Sequence, residues 1–118
     1  MLRALAVIAA LAVAHAAVAA SPLEPAFGNT VVSTYPDGRT GLLWLQRDGT
    51  YTAKGRRRTA SSGRWQLADD KICLNQAKPV AVPIRYCTPI PRGGGATWSA
   101  KAVTGETIRV KIVPGRGS

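Results

Sequence analysis

The chain has 118 residues, and its 16 Lys and Arg against 6 Asp and Glu give a net charge of +10. Its only histidine is His15, near the N-terminus, and it has two cysteines. This composition argues against catalysis by a Ser-His-Asp or Cys-His arrangement and against a zinc site. The basic excess is compatible with a solvated surface or with an anionic partner.

Residues 1–20 have the pattern of a bacterial secretory signal peptide. Arg3 supplies the positive start, an uncharged apolar run covers residues 4–14, and small residues precede a cleavage point near Ala19 or Ala20. A membrane anchor is the alternative, but the run is shorter than the ~20 residues that a spanning helix needs. We therefore expect residues 21–118 to be periplasmic or secreted, with 15 basic and 6 acidic residues and a net charge of +9.

The remaining chain alternates short β-branched or aromatic segments with turn residues, after a flexible lead-in at residues 21–28. Turns such as Pro36-Asp37-Gly38 and Arg47-Asp48-Gly49 separate the segments, and Gly63 predicts a bulge. The predicted strands are residues 30–35, 39–46, 50–54, 59–67, 71–75, 84–88, 96–101 and 106–113. The pattern predicts one all-β domain over residues 29–113, a small antiparallel up-and-down meander of about eight strands closing into a barrel, then a flexible tail at 114–118.

Alternation along the strands predicts which side chains face the core, as in the last strand, where Ile108, Val110 and Ile112 share one face. The predicted core is Leu43, Tyr51, Trp65, Leu67, Ile72, Leu74, Ile84, Tyr86, Trp98, Ile108, Val110 and Ile112.

The two cysteines, Cys73 and Cys87, predict a disulfide because an exported domain meets an oxidising environment. The bond would close a loop of 15 residues, which the chain-entropy model values at about 3 kcal/mol. A metal-binding or redox pair is the alternative. The wide spacing and the lack of other ligands count against it.

Four segments carry a family resemblance: Asp48-Gly49-Thr50-Tyr51, Gly63-Arg64-Trp65-Gln66-Leu67, Lys71-Ile72-Cys73-Leu74 and Tyr86-Cys87. In this order they resemble the pattern of small secreted lipocalin-like proteins of proteobacteria, which mostly have no assigned function. The resemblance implies a compact barrel with a tryptophan plugging one end and no shared catalytic residue. Lipocalin-like barrels often bind small apolar ligands, although housing three tryptophans in so short a chain leaves little room for a cavity.

Basic residues form the strongest deviation in the composition. Lys54, Arg56, Arg57, Arg58 and Arg64 are the candidate anion-binding residues. They could form a solvated hairpin tip, or contact anionic envelope lipid or polysaccharide. Nucleic acid is disfavoured because binding it requires aromatic side chains on the basic face.

A second outward-facing basic group is predicted from strand alternation. It consists of Arg85, Arg109 and Lys111.

The acidic residues offer little catalytic chemistry, since Asp37, Asp48 and Asp69-Asp70 fall in predicted turns. No cofactor motif is present, because Gly93-Gly94-Gly95 lacks the residues of a phosphate-binding loop. We therefore expect a non-enzymatic cell-envelope binding protein for a polyanionic surface or a small ligand. A periplasmic protein-interaction module, such as an enzyme inhibitor, is the alternative, and an enzyme using unusual acid chemistry is a third.

Overall fold

The computed structural model describes residues 21–91 and 97–116. The predicted signal peptide, the glycine-rich loop at 92–96 and the last two residues of the predicted tail lie outside this part of the chain.

Eight strands follow a short 3₁₀ helix at Glu24–Ala26. They are β1 (Thr30–Thr34), β2 (Thr40–Leu45), β3 (Thr50–Lys54), β4 (Ala60–Ala68), β5 (Lys71–Lys78), β6 (Tyr86–Pro89), β7 (Thr97–Lys101) and β8 (Thr107–Val113). Most boundaries agree with the prediction to within one residue. β5 runs three residues further than predicted, and β6 begins two residues later, beyond Pro83.

All pairs are antiparallel, in the order β6-β5-β4-β3-β2-β1-β8-β7. The meander runs from β1 to β6, and the β7–β8 hairpin continues the sheet because β8 pairs with β1. The sheet is thus a nearly closed barrel, which confirms the predicted fold class. Its remaining gap lies between β6 and β7, where the Tyr86 hydroxyl donates a hydrogen bond to the Lys101 carbonyl oxygen.

Four hairpins of the barrel share one turn geometry. In each, three residues lie between a pair whose N–H and C=O are hydrogen-bonded, as in Gln46 N to Thr50 O at 2.9 Å. The third loop residue has positive φ: Gly38 at 85°, Gly49 at 90° and Gly105 at 91°. The β3–β4 hairpin has Arg58 there, at 64°. Only glycine adopts this conformation without a steric cost, so Arg58 is held in it against its preference.

We expect Arg58→Gly to stabilise the protein by about 0.5–1 kcal/mol. It removes a left-handed cost of about 1–2 kcal/mol and adds a glycine entropy cost of about 0.5–1 kcal/mol. Thermal unfolding should show a melting temperature that is a few degrees higher. Arg57→Gly, one residue earlier and without positive φ, is the control and should not stabilise. Equal effects of the two variants would contradict the conformational argument.

The predicted irregularity at Gly63 is confirmed. The β4–β5 register shifts between Ser62 and Gly63. A Cβ added at Gly63 would lie 1.9 Å from the Asn75 carbonyl oxygen, so the two backbones approach each other too closely for any side chain. The bulge therefore requires glycine at this position.

The core prediction is largely confirmed. Tyr51, Ile72, Trp98, Ile108 and Val110 are buried. Four further predicted core residues are half-buried and pack against this core: Leu43, Trp65, Leu74 and Ile112.

Two predicted core residues are wrong. Leu67 is 42% exposed because it lies next to the end of β4, at the rim of the barrel. Ile84 is 78% exposed because it belongs to the loop before β6 rather than to the strand.

The lead-in closes one end of the barrel. Leu23 and Ala26 are fully buried in the core cluster, and Phe27 packs against Trp65 with ring centroids 6.0 Å apart. Trp65 Nε1 donates to the Gln46 carbonyl oxygen at 2.8 Å. The segment predicted to be a flexible lead-in is thus part of the packed structure, and we call this the closed end.

Trp44 lies outside the barrel, contrary to the expectation that all three tryptophans occupy space within it. Its neighbours Leu43 and Leu45 face inward, so alternation places Trp44 on the outer surface. The chain after β8 covers it: the Arg116 guanidinium lies 4.6 Å from the Trp44 ring centroid, and Gly115 N donates to Asn29 Oδ1 at 2.9 Å. Moving one indole ring outside leaves space inside.

Candidate functional site

The end opposite the lead-in is open. Four loops surround it: residues 35–39, 55–59, 79–85 and 102–106. We call these loops, with the strand residue on each side of every loop, the open end. A cavity of about 320 Å³ enters the barrel here. That volume is at the small end of the range for ligand pockets.

The cavity has an apolar and aromatic lining. Inside the barrel its walls include Leu43, Tyr51, Leu74 and Ile108. At the mouth it is bordered by Tyr35, Tyr86, Val82, Ile84 and Val103. A few hydroxyl groups among hydrophobic walls are typical of pockets for small organic ligands.

The mouth is basic. The open end carries eight basic and two acidic side chains, a net charge of +6. Its basic residues are Arg39, Lys54, Arg56, Arg57, Arg58, Lys78, Arg85 and Lys101. The described part of the closed end consists of the lead-in, the turns and the tail, each with its flanking strand residues. It carries three basic and four acidic side chains, a net charge of −1. The positive charge is therefore concentrated around the cavity entrance.

Arg56 has a structural role within this basic mouth. Its guanidinium donates to Glu106 at 2.8 Å and 3.4 Å and lies 3.9 Å from Asp37 Oδ2. It also stacks over the Tyr35 ring, 4.5 Å from the centroid. These contacts join the β1–β2, β3–β4 and β7–β8 hairpins, so Arg56 fixes the shape of the cavity entrance.

The protonation of this network follows from its contacts. A hydrogen bond from the Thr104 hydroxyl and another from Arg56 hold the pKa of Glu106 below its usual value. Burial raises the pKa of Tyr35, and the nearby Arg56 opposes that rise. Glu106 is therefore ionised and Tyr35 is a neutral phenol at neutral pH.

The other candidate anion-binding residues differ in position. Arg57 and Arg58 are exposed at the hairpin tip, and Lys54 is exposed and borders the cavity. Arg64 lies opposite Thr50 on β4, four residues or about 13 Å along the strand from the pair Lys54 and Ala60. The structure thus brings Lys54, Arg56, Arg57 and Arg58 together and separates Arg64 from them.

The second predicted basic group is also divided. Arg109 and Lys111 are exposed on the outer face of β8. Arg85 is exposed in the loop before β6, at the open end.

The predicted disulfide is confirmed. Cys73 and Cys87 lie directly opposite each other on β5 and β6, with a Cα–Cα distance of 4.0 Å. Cys73 is buried and Cys87 is exposed. The bond ties β6, which borders the gap in the barrel, to the rest of the sheet.

Within residues 21–91 and 97–116, no group of three or more His, Cys, Asp or Glu side chains is placed to bind a metal. In the same ranges, no helix has the length and apolar character that crossing a bilayer requires.

Comparisons with known proteins give no match. No family model, no curated protein and no solved structure is similar to this chain. The resemblance to lipocalin-like proteins therefore stays an expectation from sequence.

Proposed function

We propose that this protein is an exported, non-enzymatic binding protein that takes up a small amphipathic anion through its open end. The apolar part of the ligand enters the cavity, and its acidic group stays at the basic mouth. The observation that carries this proposal is the coincidence of the apolar cavity with the positive end of the barrel.

The apolar lining deep in the cavity favours an amphipathic ligand over a wholly polar one. The inner walls formed by Leu43, Tyr51 and Leu74 have few groups to replace the water lost by a buried charge. An acidic group is therefore stable only at the mouth, where Lys54 borders the cavity. Burial of the apolar part supplies most of the affinity, at roughly 25 cal/mol per Å².

Export is supported by the disulfide, since such bonds persist mainly in oxidising compartments. It is also supported by the signal-peptide pattern of residues 1–20. Together they favour the periplasm or the cell exterior as the place of action.

A binding role rather than catalysis is supported by the positions of the acidic residues. Glu24 pairs with Arg47, and Glu106 pairs with Arg56. Asp37 accepts a hydrogen bond from the Arg39 backbone N–H, and Asp48 accepts one from Thr50. Each stabilises a turn or an ion pair. The alternative of a protein-interaction module, such as an enzyme inhibitor, stays a prediction from the sequence.

Calorimetric titration of residues 21–118 with decanoate tests the proposal, and decanol is the matched neutral probe. We expect saturable binding of both, with decanoate tighter by about 2–5-fold because one surface charge pair contributes up to about 1 kcal/mol. Lys54→Gln should reduce that difference and leave decanol unchanged. Ala53→Leu, which adds volume to the cavity wall, should weaken both.

Two outcomes would oppose the proposal. One is the lack of saturable binding by either probe. The other is binding that Ala53→Leu leaves unchanged while its melting temperature shows a folded protein.

A further inference from the structure

Exposed hydrophobic side chains are concentrated at the open end. Among the described residues, five large hydrophobic side chains are exposed, and four of them lie in two loops there: Val80, Val82, Ile84 and Val103. Ile84 and Val103 are 78% and 79% exposed, and Val82 is 41% exposed. Isolated exposed hydrophobic residues are common, but a group on adjacent loops marks an interaction surface.

These loops share one cavity rim. Val82, Ile84 and Val103 all border the same mouth, so the β5–β6 loop and the β7–β8 hairpin stand side by side. The β3–β4 hairpin, with Arg57 and Arg58 at its tip, borders the mouth at Gly55. Apolar and basic side chains are therefore presented together in one direction, away from the closed end.

We propose that the open end docks on a lipid bilayer that contains anionic lipids. Val80, Ile84 and Val103 enter the boundary between head groups and acyl chains, and Arg57, Arg58 and Arg85 contact the lipid phosphates. This surface goes beyond the ligand-binding function, since it uses the loop tips and the rim of the mouth rather than the interior of the cavity.

The chemistry of the surface favours a bilayer over the other polyanions. A polysaccharide offers no hydrocarbon layer into which exposed Val and Ile side chains could enter. Single-stranded nucleic acid needs exposed aromatic rings for stacking. The aromatic residues at this mouth are half-buried, since Tyr35 is covered by Arg56 and Tyr86 bridges to β7. Apolar tips combined with basic residues match an anionic membrane interface.

The three consecutive arginines have different roles in this arrangement. Arg56 is engaged with Glu106 and Tyr35 and has only 24% of its side chain exposed. Arg57 and Arg58 are exposed beyond it. The left-handed turn that Arg58 adopts in place of glycine keeps a basic side chain at the tip, at a conformational cost. Of the three, Arg57 and Arg58 are therefore the ones that contact the lipid head groups.

The charge asymmetry orients the molecule. With a net charge of +6 at the open end and −1 among the described residues of the closed end, an anionic surface attracts the open end far more strongly than the closed end. The cavity then faces the membrane, where an amphipathic anion could pass between the barrel and the lipid.

The test is co-sedimentation of residues 21–118 with vesicles of phosphatidylcholine, with and without phosphatidylglycerol, at low and high salt. We expect binding that requires phosphatidylglycerol and weakens at high salt. Replacing Arg57 and Arg58 together by Ser should weaken it by roughly 10–30-fold, since each basic residue near the surface contributes about three- to fivefold. Arg109→Ser with Lys111→Ser removes the same charge from the side of the barrel and is the matched control.

The apolar contribution has its own variant. Ile84→Ser with Val103→Ser should lower vesicle binding without changing the net charge of the protein. These side chains are largely exposed, so the melting temperature should stay nearly the same.

Three outcomes would overturn the proposal. They are absence of binding to anionic vesicles, equal losses from the two double charge variants, and full binding by the variant that lacks Ile84 and Val103. Ala53→Leu separates this proposal from the ligand-binding one, because it should reduce decanoate binding and leave vesicle binding unchanged. Failure of the proposed cavity would therefore appear as absent decanoate binding in a protein that still sediments with vesicles.

Discussion

Gly63→Ala should lower the free energy of unfolding by about 2–3 kcal/mol or more, because overpacking against a backbone that cannot easily move is costly. The added Cβ would meet the Asn75 carbonyl oxygen at 1.9 Å and its carbonyl carbon at 2.9 Å, both belonging to the neighbouring strand. The clash can be relieved only if β4 and β5 move apart at the bulge. For a domain of this size the melting temperature should fall by about 8–24 °C, which thermal unfolding by circular dichroism measures.

Gly55→Ala is the matched control. Gly55 directly follows β3, where a Cβ would meet no atom within 4 Å, and its φ is not in the positive region. It should change stability by no more than about 0.5 kcal/mol. If Gly63→Ala proved as mild as Gly55→Ala, the close approach of β4 and β5 would be wrong.

Removing the disulfide is the second large effect that we expect. Cys73→Ala with Cys87→Ala should lower stability by about 3 kcal/mol, since the bond closes a loop of 15 residues in the unfolded chain. The melting temperature should fall by about 12–24 °C. Reduction of the wild-type protein should give a similar loss.

The position of the bond adds a local expectation. Because β6 pairs with β5 along one edge and borders the gap in the barrel along the other, it depends on the disulfide more than any central strand does. Amide hydrogen exchange should rise first in β6 when the bond is absent. An unchanged melting temperature after verified reduction, or an exchange increase confined to β1 and β2, would contradict this account.

The strand order could be predicted because turn chemistry is local. Asp48-Gly49 and Pro36-Asp37-Gly38 determine hairpins by their own backbone preferences, and consecutive hairpins generate a meander. Gly63 could be identified as a bulge because an isolated glycine inside a strand pattern has few other roles. These features depend on neighbouring residues alone.

Burial at the barrel's ends could not be predicted in the same way. Leu23 and Ala26 belong to a Pro-rich segment without strand alternation, and they are buried because the barrel end is open to them. Trp44 faces outward by strand alternation, but it is buried there because Arg116, more than seventy residues later, covers it. Ile84 continues the alternation of β6 in the sequence, but the strand begins only at Tyr86. The burial of Leu23, Ala26 and Trp44 thus depends on contacts between distant segments.

The site itself could have been partly predicted from turn parity. In an up-and-down barrel, every second loop lies at the same end, which places Asp37, Arg56 and Glu106 together. Adjacency in the chain alone makes Arg56, Arg57 and Arg58 equivalent. The parity of the loops distinguishes Arg56, which contacts two acidic residues from other loops, from its exposed neighbours.

The proposed function requires an apolar chain to enter the barrel through its basic mouth. The most direct measurement is the set of intermolecular nuclear Overhauser effects between decanoate and residues 21–118. We predict contacts from the terminal methyl group to Leu43, Tyr51 and Leu74, with the methylene next to the carboxylate near Lys54. Contacts from the methyl group only to exposed residues such as Leu67, or the reverse orientation in the cavity, would contradict the claim.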